Sequence, residues 1–150
     1  SQAIALYPSL CLFEATIMSV GRGTDKPFQA LGHPNAGFGS LVFTPRVKVG
    51  EDSNPRHKDK PCYGIDYREK GLPKGQISLT PLIDLYRKAE SLGLQLINQR
   101  QLFDLLAGTK KLRSQLASGL SEAEIRASWE ADLEAYRRLR AKYLLYEDPR

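Results

Sequence analysis

Long hydrophobic runs are missing from the 150-residue sequence, and none approaches the roughly 18 apolar residues needed to span a bilayer. A membrane-spanning segment is therefore not expected here. The sequence also lacks a secretory signal peptide with a basic start, an apolar middle and a small-residue cleavage site. Because it opens at Ser1 rather than at Met, we expect it to be a piece of a longer protein. The missing signal then says nothing about where that protein resides.

Cysteine and histidine are scarce, with two of each. Cys11 and Cys62 stand alone, whereas zinc sites need paired ligands at short spacing, so no metal or other cofactor is expected. Spacing leaves open whether the two cysteines are bonded, although Cys11 lies in an apolar run and is predicted to be a small core residue. The G-x-x-x-x-G-K spacing of a phosphate-binding loop is absent, as is a recognisable nucleophile elbow.

The charged residues are scattered, although the formal net charge of +5 at pH 7 raises the question of an anionic partner. The densest basic run, residues 56–60, carries Asp59 inside it and is typical of a solvated surface. We expect His57, in the same run, to be solvated too. Nucleic-acid binding is not expected without a continuous basic stripe. An anionic small ligand or polymer stays compatible with the charge.

The first half of the chain, up to residue 76, holds most of the glycine and proline. It is predicted to form short strands joined by long loops. The polar segment 47–62 is predicted to be an exposed connection. Four short apolar runs, two of them on either side of Pro8, predict the strands: residues 4–7, 10–13, 41–44 and 63–67.

Helical patterns begin after Ser78, where Thr80 and Pro81 predict an N-cap and a first turn. Shorter helices are expected at residues 101–107 and 110–117, and a capping box at Ser121 opens the longest helix. Strands first and helices last predict an α+β domain, with about four helices in the second half and the last one long. One apolar face of that last helix is expected to pack rather than to bind a ligand: Ile125, Trp129, Leu133, Tyr136, Leu139 and Tyr143.

Residues 11–34 gather several ionisable side chains in a stretch with little helix or strand regularity. Within it, Gly21 and Gly23 flank Arg22, and glycine allows positive φ and a close approach of the backbone to a ligand. Arg22 offers a planar fork of donors that matches a carboxylate. The same loop could instead be a tight turn whose Arg22 caps a helix or pairs with Asp25. Both interpretations stay open on local chemistry. His33 is expected in a loop, bonded to a carbonyl or touching a ligand.

A family resemblance covers essentially the whole chain. The stretch "YPSLCLFEATIMSVGRGTDKPFQALGHP" resembles a segment of the NamZ-like exo-β-N-acetylmuramidases, a family long catalogued as a domain of unknown function. Further matches follow in the right order: "FTP" at residues 43–45, "CYGIDYR" at 62–68, and the block from "FDLLAGTKKLRSQL" to "KYLLYED" at 103–148. The GRGT and EIRASW–KYLLY blocks together are highly specific.

The resemblance implies that residues 1–150 form the smaller C-terminal domain of a two-domain glycosidase. A Rossmann-like N-terminal domain would precede it, with the substrate cleft between the two. Such an enzyme releases N-acetylmuramic acid from the non-reducing end of peptidoglycan-derived glycan and would be periplasmic or secreted. The isolated domain is then expected to be inactive, because one wall cannot form the cleft. The alternative is a non-enzymatic module that binds cell-wall sugar or docks a partner protein.

The resemblance also gives the site residues as a hypothesis. Arg22 binds the lactyl carboxylate of N-acetylmuramic acid or otherwise orders the terminal sugar. Glu14 is either a catalytic carboxylate or, with the essential acid coming from the other domain, an orienting group. Further substrate contacts are expected from the flanking glycines and nearby polar side chains: Gly21, Gly23, Thr16, Thr24 and His33.

Overall fold

The computed structural model describes residues 2–50, 52–70, 72 and 76–146. Glu51, within the predicted connection, lies outside them. The predicted α+β class is confirmed: the described residues form six α-helices and a small three-stranded sheet. No described helix has both the length and the apolar character that crossing a bilayer requires.

The N-terminal apolar runs are helical, so the prediction of strands at residues 4–7 and 10–13 is wrong. Helix α1 spans Gln2–Leu10, and a 3-10 helix follows at Cys11–Ala15. Short apolar runs do not distinguish a strand from a helix by periodicity alone. Burial shows the helical spacing, because Leu6 and Leu10 are buried while Ile4 and Tyr7 are exposed.

The sheet is antiparallel, with strand order β1-β3-β2. Strands β2 (Leu41–Phe43) and β3 (Cys62–Asp66) confirm the predicted strands to within one residue at each end. Strand β1 (Ala30–His33) was not predicted, because it lies in the stretch judged irregular. His33 therefore ends a strand rather than lying in a loop.

The segment that joins the first 3-10 helix to the GRGT turn makes two isolated antiparallel bridges, Thr16 with Ile97 and Ser19 with Gly32 of β1. We call residues 14–22, from Glu14 in that helix to Arg22 in the turn, the wall segment. Ser19 and Gly32 exchange backbone hydrogen bonds of 2.7 and 3.0 Å, and the Ile17 N–H donates to the Leu96 carbonyl at 2.9 Å. Bonded on both sides, the backbone of this segment is held between the sheet and the helical half.

The helical half begins with α2 (Thr80–Ser91), α3 (Arg100–Ala107) and α4 (Lys111–Ala117). Apolar side chains of α2 and α3 pack into the main core, where Leu82 and Phe103 are fully buried. Thr80 lies inside α2 rather than capping it, and its hydroxyl donates to Glu122 at 2.7 Å. The 3-10 helix at Ala36–Phe38 completes the packing against α2.

The predicted last helix is divided into α5 (Glu122–Ala127) and α6 (Glu130–Ala141). The capping box at Ser121 is confirmed. At the break, the Ser128 hydroxyl donates to the Ile125 carbonyl at 2.6 Å, a local bond that competes with helix continuation. Ile125 is buried and Trp129 packs partly against the core.

The expectation that the rest of that apolar face packs is wrong. None of the twelve residues of α6, all of them described, is buried. Exposed fractions are 60% for Tyr136, 52% for Leu139 and 75% for Tyr143. Periodicity detected the amphipathic helix correctly, but it carries no information on what covers the apolar side.

Candidate functional site

Glu14 and Arg22 meet at the two ends of the wall segment. Arg22 Nη2 lies 2.8 Å from Glu14 Oε1, and the guanidinium carbon lies 5.0 Å from the centre of the Phe28 ring. The Arg22 side chain is still 46% exposed and the Glu14 side chain 25%. Both line an open cleft of about 380 Å³. Arg22 therefore pairs with Glu14, rather than with Asp25, while facing an open surface.

The glycines beside Arg22 build the turn that positions it, and both adopt the positive φ that glycine allows, +77° for Gly21 and +75° for Gly23. A Cβ at Gly21 would lie 2.3 Å from the Lys26 carbonyl oxygen, and one at Gly23 would lie 2.4 Å from that of Arg46. No side chain fits at either position without moving backbone. The turn is thus fixed both by conformation and by close packing.

The Thr24 hydroxyl belongs to the same turn, donating to the Gly21 carbonyl at 2.7 Å and accepting from the Lys26 N–H at 2.9 Å. Thr16 is fully buried, and its hydroxyl donates to the Phe13 carbonyl and accepts from the Met18 N–H. Both hydroxyls therefore support the backbone that carries Glu14 and Arg22. Their predicted contact with substrate stays a prediction.

The opposite side of the cleft comes from the polar connection, about 30 residues further along the chain. Asp52, Asn54 and Arg56 line it together with Met18, Ser19 and Val20 of the wall segment. The Asp52 carboxylate accepts from the Asn54 N–H at 3.0 Å. Sequence reasoning missed these residues, because it assigned the basic run around Arg56 to a solvated surface. Nothing local in the sequence connects that run to the GRGT turn.

His57 is the link between the two sides. The prediction that it is solvated is wrong, because it is partly buried and its Nε2 lies 2.7 Å from the Ile17 carbonyl oxygen. Its φ of +60° is unusual for a non-glycine residue and reflects the tight turn after Arg56. Burial lowers the pKa of His57, and the nearby Arg56 charge lowers it further against the opposing effect of the Ile17 bond. A neutral imidazole donating from Nε2 fits this contact.

His33 lies beside His57 rather than on the cleft, with the two ring centres 5.0 Å apart. Its Nδ1 accepts from the Asn35 N–H at 3.0 Å. Burial and the neighbouring His57 lower the pKa of His33. His33 therefore lies next to His57 and off the cleft. Its predicted contact with a ligand stays a prediction.

Both cysteines are free thiols. Cys11 is partly buried against the main core, and Cys62 is fully buried in the sheet, where burial raises the pKa of its thiol to about 11. Among the described residues, no group of three or more metal-ligating side chains comes together.

A larger cavity of about 720 Å³ lies among α2, α3 and α4. Arg100, Lys110 and Arg113 give it a basic lining, with Glu90 as its carboxylate. Arg113 is already held by two bonds to Asp104, of 2.6 and 2.8 Å. Its size alone favours this cavity as the candidate site. We nevertheless choose the smaller cleft, because Glu14 and Arg22 bring opposite charges to it and a tightly packed glycine turn holds Arg22 in place.

Comparisons with known proteins agree on one family. Residues 5–146 match the family described as exo-beta-N-acetylmuramidase NamZ, C-terminal. Peptidoglycan beta-N-acetylmuramidase NamZ of Bacillus subtilis (strain 168) is 27% identical over 164 residues, covering 94% of this chain and 37% of that protein.

Two solved structures share the fold. A DUF1343 family protein from Bacteroides fragilis NCTC 9343 superposes with a TM-score of 0.84 at 39% identity, covering 99% of this chain and 42% of the other. A second DUF1343 family protein from the same organism, at 18% identity, has a TM-score of 0.60 over 98% of this chain and 44% of the other. The chain thus spans less than half the length of each relative. It belongs to the family of C-terminal regions of the NamZ exo-β-N-acetylmuramidases.

Proposed function

We propose that the full-length protein containing this chain is an exo-β-N-acetylmuramidase acting on peptidoglycan fragments, and that this domain supplies one wall of its substrate cleft. A preceding Rossmann-like domain would supply the other wall. The observation that carries the proposal is the Glu14–Arg22 pair, presented by a rigid glycine turn on an open cleft in a member of this family. At about 380 Å³ the cleft lies at the small end of ligand pockets, as expected for half a site.

The chemistry of the wall suits the end of a glycan. Sugar hydroxyls both donate and accept hydrogen bonds, so a carboxylate beside a guanidinium can fix a single hydroxyl pattern. Arg22 donates to Glu14 through Nη2 and keeps an exposed edge for a ligand. We assign Glu14 and Arg22 to orienting the terminal sugar. Glycoside cleavage uses two carboxyl groups about the scissile bond, and we assign the proton donor to the other domain.

The test is the hydrolysis of a chromogenic N-acetylmuramic acid β-glycoside by the full-length protein. Arg22→Ala should lower kcat/KM by about 30-fold or more, because it removes the charged donor that pairs with Glu14 and contacts the sugar. The matched control is Arg138→Ala, which removes an exposed arginine paired with Glu134 on α6 and should leave kcat/KM within about twofold. If Arg22→Ala behaves like the control in an active enzyme, Arg22 does not belong to the site.

Glu14→Gln separates the two roles of Glu14. An orienting residue should lose mainly in KM, because the amide still offers an oxygen to a hydroxyl. A loss in kcat of about 1,000-fold or more, with little change in KM, would make Glu14 a catalytic group.

A second candidate function is a binding or docking module without activity of its own. The exposed apolar face of α6, including Tyr136 and Tyr143, favours it. Incubating the 150-residue chain alone with the chromogenic substrate and titrating it with N-acetylmuramic acid distinguishes the two. A dependent cleft wall gives no turnover and no measurable affinity, whereas an autonomous module binds the sugar.

A further inference from the structure

The cleft contains two guanidinium groups in different states. Arg22 has a carboxylate partner, Glu14, at 2.8 Å and lies over the Phe28 ring. Arg56 lines the same cleft, but within the described part of the chain its side chain makes neither an ion pair nor a hydrogen bond. The other described carboxylate on the cleft, Asp52, accepts from the Asn54 N–H and forms no ion pair with Arg56.

Arg56 is held in place by its neighbours rather than extended into solvent. Pro55 before it is buried, and the Pro55 carbonyl accepts from the Lys58 N–H at 3.0 Å. His57 after it is bonded to the Ile17 carbonyl of the wall segment at 2.7 Å. These contacts bring the loop to the cleft and leave the Arg56 side chain partly buried.

An arginine in this setting favours the binding of an anionic ligand. Burial lowers the pKa of the Arg56 guanidinium, yet an arginine stays protonated at neutral pH. Among the described residues the partly desolvated Arg56 has no counter-charge, which is costly, and a ligand carboxylate would relieve that cost through two parallel hydrogen bonds. Arg22 is less suited to the task, since a ligand carboxylate would compete there with Glu14.

We infer that Arg56 is the specificity-determining residue of the cleft and binds the lactyl carboxylate of the terminal sugar. Arg22 and Glu14 then contact the part of the sugar that N-acetylmuramic acid shares with N-acetylglucosamine. This inference rests on the proposed function and revises the assignment of the carboxylate to Arg22. A sugar without the carboxylate would leave the partly buried Arg56 without this counter-charge, and a site built to pair a polar group rejects analogues that leave it unpaired.

Two chromogenic substrates test the inference in the full-length protein: the β-glycoside of N-acetylmuramic acid and the same compound with its lactyl group as a neutral amide. In Arg56→Gln, kcat/KM for the acid should fall by about 30-fold or more, mainly through KM, while the amide changes by less than about threefold. Arg56→Lys keeps the charge and should retain part of the preference. Arg22→Ala should lower kcat/KM for both substrates by a similar factor.

The matched control is Arg46→Gln, because Arg46 directly precedes the connection and, among the described residues, the one contact of its guanidinium is an ion pair of 3.8 Å with Asp59. This variant should leave kcat/KM for both substrates unchanged. Thermal unfolding should show that all variants are folded. An active enzyme whose Arg56→Gln variant keeps the wild-type ratio between acid and amide, or loses both equally, overturns the inference while leaving the proposed function intact.

Binding measurements test the inference even if the protein hydrolyses neither substrate. Calorimetric titration with free N-acetylmuramic acid and with N-acetylglucosamine should show a preference for the acid in the wild type and none in Arg56→Gln. If this holds in a protein that hydrolyses neither substrate, the inference stands and the proposed activity fails. If the wild type binds both sugars equally or neither, the inference fails whatever the activity.

Discussion

Two regions of the molecule differ in burial. Most side chains from Leu10 to Val20 are buried, and Phe13 and Thr16 are fully buried, whereas no described residue of α6 is buried. Both regions are rich in apolar residues. In the first region, backbone bonds from Ile17 to Leu96 and from Ser19 to Gly32 place the chain between two neighbours. No described residue covers the apolar face of α6 in that way.

The difference shows that α6 is specified locally and the wall segment is specified by its surroundings. Acidic residues in the first turn of α6 and basic residues in its last turn favour the helix through the macrodipole. Glu134 pairs with Arg138 four residues later at 3.1 Å. Each such pair stabilises a helix by about 0.2–0.5 kcal/mol without any tertiary contact. The wall segment has local bonds to the Thr16 hydroxyl, but it also depends on burial and on backbone bonds to residues far along the chain.

The largest expected effect compares the same substitution in a buried and in an exposed helix. Leu82→Ala removes a fully buried side chain from α2 and should cost about 2–5 kcal/mol of unfolding free energy. Leu139→Ala removes a side chain of α6 that is 52% exposed and should cost less than about 0.5 kcal/mol. Urea unfolding of the 150-residue chain measures both. Equal losses would show that α6 is packed.

The same pair in the full-length protein sharpens the comparison. If Leu139→Ala becomes destabilising there by about 1 kcal/mol or more, the rest of the protein covers the face of α6. If it remains neutral, that face stays free for another partner.

A smaller effect is expected at the glycine turn. Gly23→Ala combines a positive φ with a clash against the Arg46 backbone and should cost about 2–4 kcal/mol. Gly119→Ala is the matched control, because its φ is +72° but nothing lies within 4 Å of the added carbon. It should cost only about 1–2 kcal/mol. Denaturant midpoints with unchanged slopes would give the difference, and equal costs would mean that the turn can move to admit a side chain.

Much of the fold could be predicted because its signals are local. Turn residues bound β2 and β3, the capping box at Ser121 marks the start of α5, and glycines mark the ends of helices. The positive φ of Gly21 and Gly23 also follows from local chemistry. Helix α1 escaped prediction, because Pro8 divides its apolar pattern into pieces short enough for strands.

The candidate site could be predicted only in part. Glu14 and Arg22 are eight residues apart, and both were identified. Arg56 was not, because the bond from His57 to Ile17 that brings it to the cleft joins residues 40 positions apart. A contact of that range depends on where the sheet places the connection, which no local pattern encodes.

The most direct test is a crystal structure of the full-length protein with N-acetylmuramic acid bound. We expect the sugar on the wall segment, with its carboxylate within hydrogen-bonding distance of Arg56 and a ring hydroxyl near Glu14 and Arg22. A sugar bound instead in the basic cavity among α2, α3 and α4, with the cleft beside Arg22 empty, would contradict it.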